Sequence, residues 1–398
     1  MKAVGVIVEY NPFHNGHLYH LQQTKKISKA DVVIAVMSGN FLQRGEPALV
    51  SKWSRAKMAL KNGADIVVEL PFAYSTQKAE TFAFGAISIL NALGASFVCF
   101  GSESGNINDF FQAVDDFEQN ETDIDEKLKQ YLKQGYSYPK AMSLATEQTP
   151  LLSAPNNILG FHYVKAIKNM AANIEPLTIQ RKAAQYHDKT FATEKIASAT
   201  SIRNILKENG LSAIKNVVPS ATFAELSAYY EQFQTFSDWE KYFPFLKYKI
   251  LSTDERMLGQ IYGMAEGIEY RLKKNIAQAK TFQHFMENIK TKRYTWTRLQ
   301  RLLLYVLTNA TDDEMMYAEK KNHVPYIRLL GMNQTGQKYL NELKHRLTIP
   351  LVTKPKEFDH PLLSLDIRAT MIYSLIYPQE QQSAKGLNDF QTPPVQIT

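Results

Sequence analysis

The feature that most constrains this chain is a short turn, Asn11-Pro12-Phe13-His14-Asn15-Gly16-His17. It sits between an apolar run ending at Tyr10 and a helix-forming stretch that continues to Ser28. A strand that passes through such a turn into a helix leaves unpaired N–H groups and a partial positive charge at the helix mouth, where phosphate binds. Gly16 lets the backbone approach that anion closely. Imidazole N–H groups of His14 and His17 can then stabilise charge on a phosphorus under attack and on departing pyrophosphate. Two histidines three residues apart more often just satisfy local hydrogen bonds; their place in a first strand-to-helix turn points to nucleotidyl transfer.

The first hundred residues repeat that pattern of short apolar run and helix, which is the signature of a parallel sheet wrapped by helices. Ala3–Tyr10, Asp31–Ser38, Asp65–Leu70 and Phe97–Gly101 read as strands, and His17–Ser28, Ser51–Asn62 and Lys78–Leu93 as crossover helices. The predicted class is α/β, with a Rossmann-like parallel sheet. Ligands on such sheets sit beyond the carboxyl ends of the strands. That gathers Asn11–His17, Gly39–Pro47, Pro71–Gln77 and Gly101–Ser104 around one crevice.

At 398 residues the chain exceeds one usual domain. A further strand is expected at Glu175–Arg181, then a charged loop and a helix opening near Ser198. From about Ala221 to Asn309 the sequence reads as successive helices, so residues 1–220 are expected to form the catalytic unit and 221–398 a mainly helical one. The last ninety residues read as a small mixed part: a helix over Gly336–His345, an extended run over Leu347–Thr353, a helix over Ser364–Tyr377, and a mobile tail from Pro378. Pro350 limits the extended run to a sheet edge.

Charge is unevenly placed. Between Lys241 and Arg301 thirteen Lys/Arg face five Asp/Glu. Such a surface suits a polyanion such as RNA, or equally a solvated helix face; charge alone does not choose. Lys273, Lys274, Lys292, Arg293, Arg298 and Arg301 are the candidate phosphate contacts, with most of the nearby Tyr, Phe and Trp expected in the core. Cys99 is the only cysteine, so neither an intramolecular disulfide nor a thiolate metal cluster is available. No metal-binding residues are assigned. No signal-peptide layout or long apolar run occurs, and a cytoplasmic chain without membrane contact is expected.

A second element supports the first. In Ala197-Ser198-Ala199-Thr200-Ser201-Ile202-Arg203, hydroxyls open a helix and a guanidinium follows. Alone, Ser198 or Thr200 reads as a helix cap. Beside the histidine turn, Ser198, Thr200, Ser201 and Arg203 read better as contacts to the β- and γ-phosphates. No Gly-x-x-x-x-Gly-Lys-Ser/Thr loop is present, which excludes P-loop chemistry.

His14-Asn15-Gly16-His17 resembles the His-x-Gly-His signature of the nucleotidyltransferase superfamily that contains pantetheine-phosphate adenylyltransferase and class I aminoacyl-tRNA synthetases. Ser198–Arg203 is similar to its Ser-Ser-Thr-x-Ile-Arg motif, with Ala199 in place of the second serine. The absence of Lys-Met-Ser-Lys-Ser argues against a synthetase. More narrowly, the chain resembles the bacterial tRNA(Met) cytidine acetate ligase family along nearly its whole length. The residues behind this are Val8 through His17, Met37 through Pro47, Glu69-Leu70-Pro71, Phe100-Gly101-Ser102-Glu103 and Pro155 through Gly160.

That resemblance implies activation of acetate by ATP as acetyl-adenylate, then transfer of acetyl to the exocyclic amine of the wobble cytidine of elongator tRNA(Met). It implies an ATP site of Ile7, Val8, Glu9, Tyr10, Asn11, Pro12, Phe13, His14, Asn15, Gly16, His17, Leu18 and His20, with Gly101, Ser102, Asn157, Arg181 and Lys182. His14 and His17 are the expected catalytic pair, with Mg²⁺ accompanying ATP. Asn157 can read a base edge or cap a helix. Asn40, Arg44 and Glu46 lie on a loop expected to shape the small-acid pocket. Two other readings share the histidine turn: an adenylyltransferase of a small phosphorylated metabolite, which needs no basic appendage, and a non-catalytic protein that binds ATP and RNA.

Overall fold

The computed structural model describes residues 1–146, 150–181 and 197–397. The N-terminal part runs β1 (Ala3–Val8), α1 (Asn15–Ser28), β2 (Val32–Ser38), α2 (Lys52–Lys61), β3 (Ile66–Leu70), α3 (Phe72–Ser75), α4 (Ala79–Ala92) and β4 (Phe97–Ser102). Then come α5 (Ile107–Gln119), α6 (Glu121–Lys133), α7 (Tyr138–Ala145), α8 (Pro155–Asn169), β5 (Glu175–Gln180) and α9 (Ala199–Asn209). Helices α10 (Ser220–Phe233), α11 (Trp239–Ser252), α12 (Glu255–Leu258), α13 (Ile268–Ile276), α14 (Phe282–Ile289), α15 (Trp296–Thr308) and α16 (Asp312–Glu319) follow. The chain closes with β6 (Ile327–Asn333), α17 (Gln334–Leu343), β7 (Leu351–Val352), α18 (Pro361–Ser374), α19 (Gln379–Gln382) and β8 (Val395–Ile397).

The sheet order is β5-β4-β1-β2-β3-β6-β7, with β8 also paired to β6. From β1 the chain first builds outward through β2 and β3, then returns to lay β4 and β5 on the other side, all parallel. The reversal puts a switch point between the carboxyl ends of β1 and β4, where such sheets bind ligands. Every residue of β2 is buried, as a central parallel strand covered on both faces requires. Helix α4 is buried continuously from Thr81 to Leu90. It lies close on β1, and a side chain at Gly5 would collide with Leu90.

Two expectations are corrected. The sheet does not stop within residues 1–220: β6 pairs antiparallel with β3, and β7 and β8 pair parallel with β6. One apolar core runs from Ala3 to Leu387 through both halves. Nor is the segment after Pro378 a loose tail. Asp389, buried, lies 3.0 Å from the Lys52 ammonium and 3.4 Å from the Arg328 guanidinium, and β8 pairs with β6. Lys52 also meets Glu69 at 2.8 Å. A buried charge is tolerated only when so paired, and the pairing fastens the C-terminal segment to α2 and β3. Among the described residues no helix is long and apolar enough to cross a membrane.

Candidate active site

The histidine turn begins where β1 ends. Tyr10 takes a left-handed backbone (φ 51°), and Asn11–Pro12 is a cis peptide bond. Tyr10, Pro12 and Phe13 pack inward, with the Tyr10 and Phe13 rings 4.6 Å apart. Asn11 Oδ1 accepts the Leu49 N–H at 2.7 Å, so the turn is pinned to the loop before α2. Its other side-chain atom, Nδ2, is buried with no partner among the described residues. Ile7 and Val8, ending β1, are half-buried, as are Leu18 and His20 on α1.

His14 is the N-cap of α1. Its Nδ1 accepts the Gly16 N–H at 3.1 Å, and His17 Nδ1 accepts the His14 N–H at 3.2 Å. The rings stack with centroids 3.7 Å apart. An Nδ1 that accepts cannot carry the proton in a neutral ring, so each imidazole bears it on Nε2 and offers one N–H donor. Burial pushes His14 down to about 4, helped by the Arg181 charge. His17 is held well below its ordinary value by burial, then by His14, His20 and Arg181. Burial and Arg181 also push His20 to about 4. At neutral pH the site thus holds neutral imidazoles at the positive end of a helix, which suits an arriving anion.

Across the crevice, Gly101 nears the end of β4, and a side chain there would sit 3.3 Å from Arg181 Cγ. Ser102 is fully buried; its hydroxyl meets Thr178 Oγ1 at 2.7 Å and accepts the Gly105 N–H at 2.9 Å. Asn157 lies inside the first turn of α8 rather than at its cap, which is Ala154. Its Oδ1 accepts the N–H groups of Glu103 and Ser104 at 2.9 and 3.3 Å. The Glu103 carboxylate in turn accepts the Asn157 N–H and the Asn156 amide, and Asn156 Oδ1 accepts from Arg181 at 3.2 Å. Ser102 Oγ and Asn157 Oδ1 are therefore committed to shaping this loop. Lys182 lies outside the described residues.

Helix α9 closes the third side. Ser198 is its N-cap, accepting the Ser201 N–H at 3.1 Å. Arg203 reaches back to donate to the Asn11 carbonyl at 2.9 Å, to Glu46 at 3.2 Å and to Thr200 Oγ1 at 3.4 Å. The second motif is thereby tied to the first. Glu46 sits on the loop after β2, and Asn40 of that loop is buried, its Oδ1 accepting the Lys52 N–H at 2.8 Å and its Nδ2 donating to Thr370 at 3.3 Å. Arg44 is exposed. Glu9 accepts the Gln43 N–H at 2.9 Å, and burial raises its carboxyl above the usual range despite that bond.

One residue the sequence reading passed over organises this edge. Arg55 on α2 is fully buried and donates to the carbonyls of Glu9 at 2.7 Å, Ser38 at 3.0 Å and Val50 at 3.2 Å, and to that of Gly39. It gathers the carboxyl ends of β1 and β2 beneath the turn. Its signal was available: Lys52 and Arg55 share the inward face of a short helix that packs on the sheet.

A family profile described as HIGH Nucleotidyl Transferase matches residues 1–388. The tRNA(Met) cytidine acetate ligase of a Geobacillus species is 51% identical over 99% of this chain and 100% of its own length. That of Anoxybacillus flavithermus is 49% identical over the same shares. The chain belongs to the tRNA(Met) cytidine acetate ligase family. Crystal structures of Thermotoga maritima TmcAL superpose on it with a TM-score of 0.90 over 100% of both chains, at 33% identity for the apo form and 32% for the form bound with alpha-thio ATP. The nucleotidyltransferase fold and ATP binding read from the sequence are those of this family.

The basic residues read as phosphate contacts for a family member fall into two groups. Lys273 donates to the Leu251 carbonyl at 3.2 Å, and Arg301 to the Gln77 carbonyl at 3.0 Å with its backbone against Gly45. These two have partners within the chain. Lys274, Lys292 and Arg293 are exposed, and Arg298 lies 4.3 Å over the Tyr294 ring. Among the described residues no three His, Cys, Asp or Glu side chains converge to hold a metal. The carboxylates nearest the turn are engaged, Glu9 with Gln43, Glu46 with Arg203 and Glu103 with the α8 amides. The described side chains thus form no cage for Mg²⁺.

Proposed function

We propose that this chain activates acetate with ATP and transfers the acetyl group to N4 of the wobble cytidine of elongator tRNA(Met), giving N4-acetylcytidine. The observation that carries it is the stacked pair of neutral imidazoles at the opening of α1, beside the switch point of the sheet. An acetate oxygen attacks the α-phosphorus, the bond to the β-phosphate bridging oxygen breaks, and pyrophosphate leaves. Nε2–H groups of His14 and His17 donate to the oxygens where charge builds. The α1 N-terminus, Arg181 and the opening of α9 supply further positive potential. The cytidine amine then attacks the acetyl carbon of the mixed anhydride, AMP departs, and the amine loses a proton. A weak nucleophile needs the anhydride held dry and close, and the acceptor base unstacked from its neighbours.

Family membership and the identity of relatives along the whole chain support this reading over a small-metabolite adenylyltransferase. Incubation with labelled acetate, ATP and bulk tRNA, followed by nucleoside analysis, tests it. Label should enter N4-acetylcytidine alone and only with ATP. His17→Ala should lower the rate about 10²- to 10³-fold. Label in no nucleoside, or incorporation that ignores the loss of His17, overturns it.

A further inference from the structure

On the helical half a cavity of about 350 Å³ opens between the start of α13 and the segment before α15, within the roughly 300–1,000 Å³ of ordinary ligand sites. Its chemistry is mixed in a specific way. Lys292 and Arg293 line it, and both are exposed with no hydrogen bond or ion pair among the described residues. Glu266 lines it too; one carboxylate oxygen lies 3.2 Å from the Tyr294 hydroxyl, which also donates to the Ala265 carbonyl at 3.0 Å, and the other has no partner among the described residues. Arg271, also in the wall, is committed to the Asn288 and Ile289 carbonyls at 2.8 Å and only shapes the site. Next to the lining residue Gly267, Tyr270 is 64% exposed, its ring so near that a side chain on Gly267 would sit 3.7 Å away.

Two unneutralised cations, one carboxylate acceptor and one exposed aromatic face are the groups that meet phosphate, an exocyclic amine and the π-face of a base. We propose that this cavity receives one unstacked nucleotide of the RNA partner. Its amine-bearing base lies on Tyr270 and donates to Glu266, while Lys292 and Arg293 meet its phosphate. Uracil carries no exocyclic amine and is disfavoured. From Trp296 to Arg301, which abuts Gly45 of the loop beside the histidine turn, α15 rises less than about 10 Å. The proposal rests on the reading of this chain as an enzyme of RNA.

The test measures binding of cytidine, adenosine and uridine hexamers to the full chain, with ATP present to fill its own site. The native chain should bind the cytidine and adenosine hexamers roughly tenfold more tightly than the uridine hexamer. Glu266→Ala, which removes the acceptor, should bring them down to the uridine value. Tyr270→Ala, a surface change, should weaken all three by roughly tenfold. Equal affinities for the three hexamers in the native chain overturn the assignment, as does native-like tRNA binding by both variants. Acetate-dependent pyrophosphate release by the native chain is measured alongside. Its absence sinks the catalytic reading while the hexamer pattern still decides the cavity, so the two failures are distinguishable.

Discussion

Neutrality of the site imidazoles has a consequence that can be measured without any substrate but ATP. The His14 ring ordinarily titrates at 6.5 and is pushed to about 4 in the fold. The folded chain therefore favours the neutral ring, so its stabilising share is complete above pH 6.5 and is lost as pH falls toward 4. Between pH 8 and pH 5 this one ring removes about 2 kcal/mol of folding free energy, because the unfolded chain takes up a proton that the folded chain refuses. His14→Asn keeps a short acceptor at the N-cap and removes the titrating group. Urea unfolding of the native chain and the variant at both pH values should give the variant a smaller acid loss, by about 2 kcal/mol. Saturating ATP should narrow the difference, since a triphosphate against the ring favours the imidazolium. Identical acid losses in the two chains, or no effect of ATP on the native chain at pH 5, would refute the burial of a neutral His14 beside the phosphates.

Two further substitutions probe the scaffold around that ring. Arg203→Met frees both the Asn11 carbonyl and Glu46, and the loss of hydrogen bonds made by a charged group should raise the KM for ATP at least about tenfold; Glu46→Gln, which spares the Asn11 contact, should do less, and equal effects would argue against the link to the turn. Asp389→Asn leaves Lys52 and Arg328 short of a buried counter-charge and should lower stability by about 3 kcal/mol, read from urea unfolding; an unchanged midpoint would mean the C-terminal segment is not held by these pairs.

What the sequence disclosed and what it hid follow from how far apart the interacting residues lie. The histidine turn was legible because strand, turn and helix signals are contiguous and agree, and the Ser198–Arg203 helix opening for the same reason. Strand β6 was not, since Arg328 interrupts its apolar run; only the fold reveals that Asp389, from the far end of the chain, meets that charge. Ser102 and Asn157 entered the expected ATP site through the family resemblance, and Asn40 the expected acid pocket through its place on the loop after β2, so the sequence showed none of their partners within the chain. In the structure their oxygens accept backbone N–H groups of Gly105, of Glu103 and Ser104, and of Lys52. A polar residue that reads a ligand and one that wires a loop look alike until the partner's position is known. Arg55 illustrates the converse, a charged residue whose place on the inward face of a helix is readable in the sequence but whose partners, all carbonyls, are not.

The same wiring bears on why the helical half is packed rigidly on the sheet. The loop after β2 is held from both sides. The Gly45 carbonyl accepts the Trp239 indole N–H at 3.0 Å, and Gly45, in a left-handed conformation with φ 78°, leaves no room for a side chain beneath the Arg301 backbone. On the other side, Glu46 meets Arg203, which holds the Asn11 carbonyl. Asn11 itself accepts from Leu49 on the same loop. A continuous run of hydrogen bonds and close contacts therefore joins the imidazole turn to α15 and the basic surface at its start. An acyl phosphate anhydride is open to water as well as to an amine, so the advantage lies with the nucleophile whose approach is fixed beforehand. A helical half free to pivot would present its basic surface at a variable distance from the imidazole turn. This one, fastened through Gly45 and through the buried Asp389 contacts, presents it at a constant one.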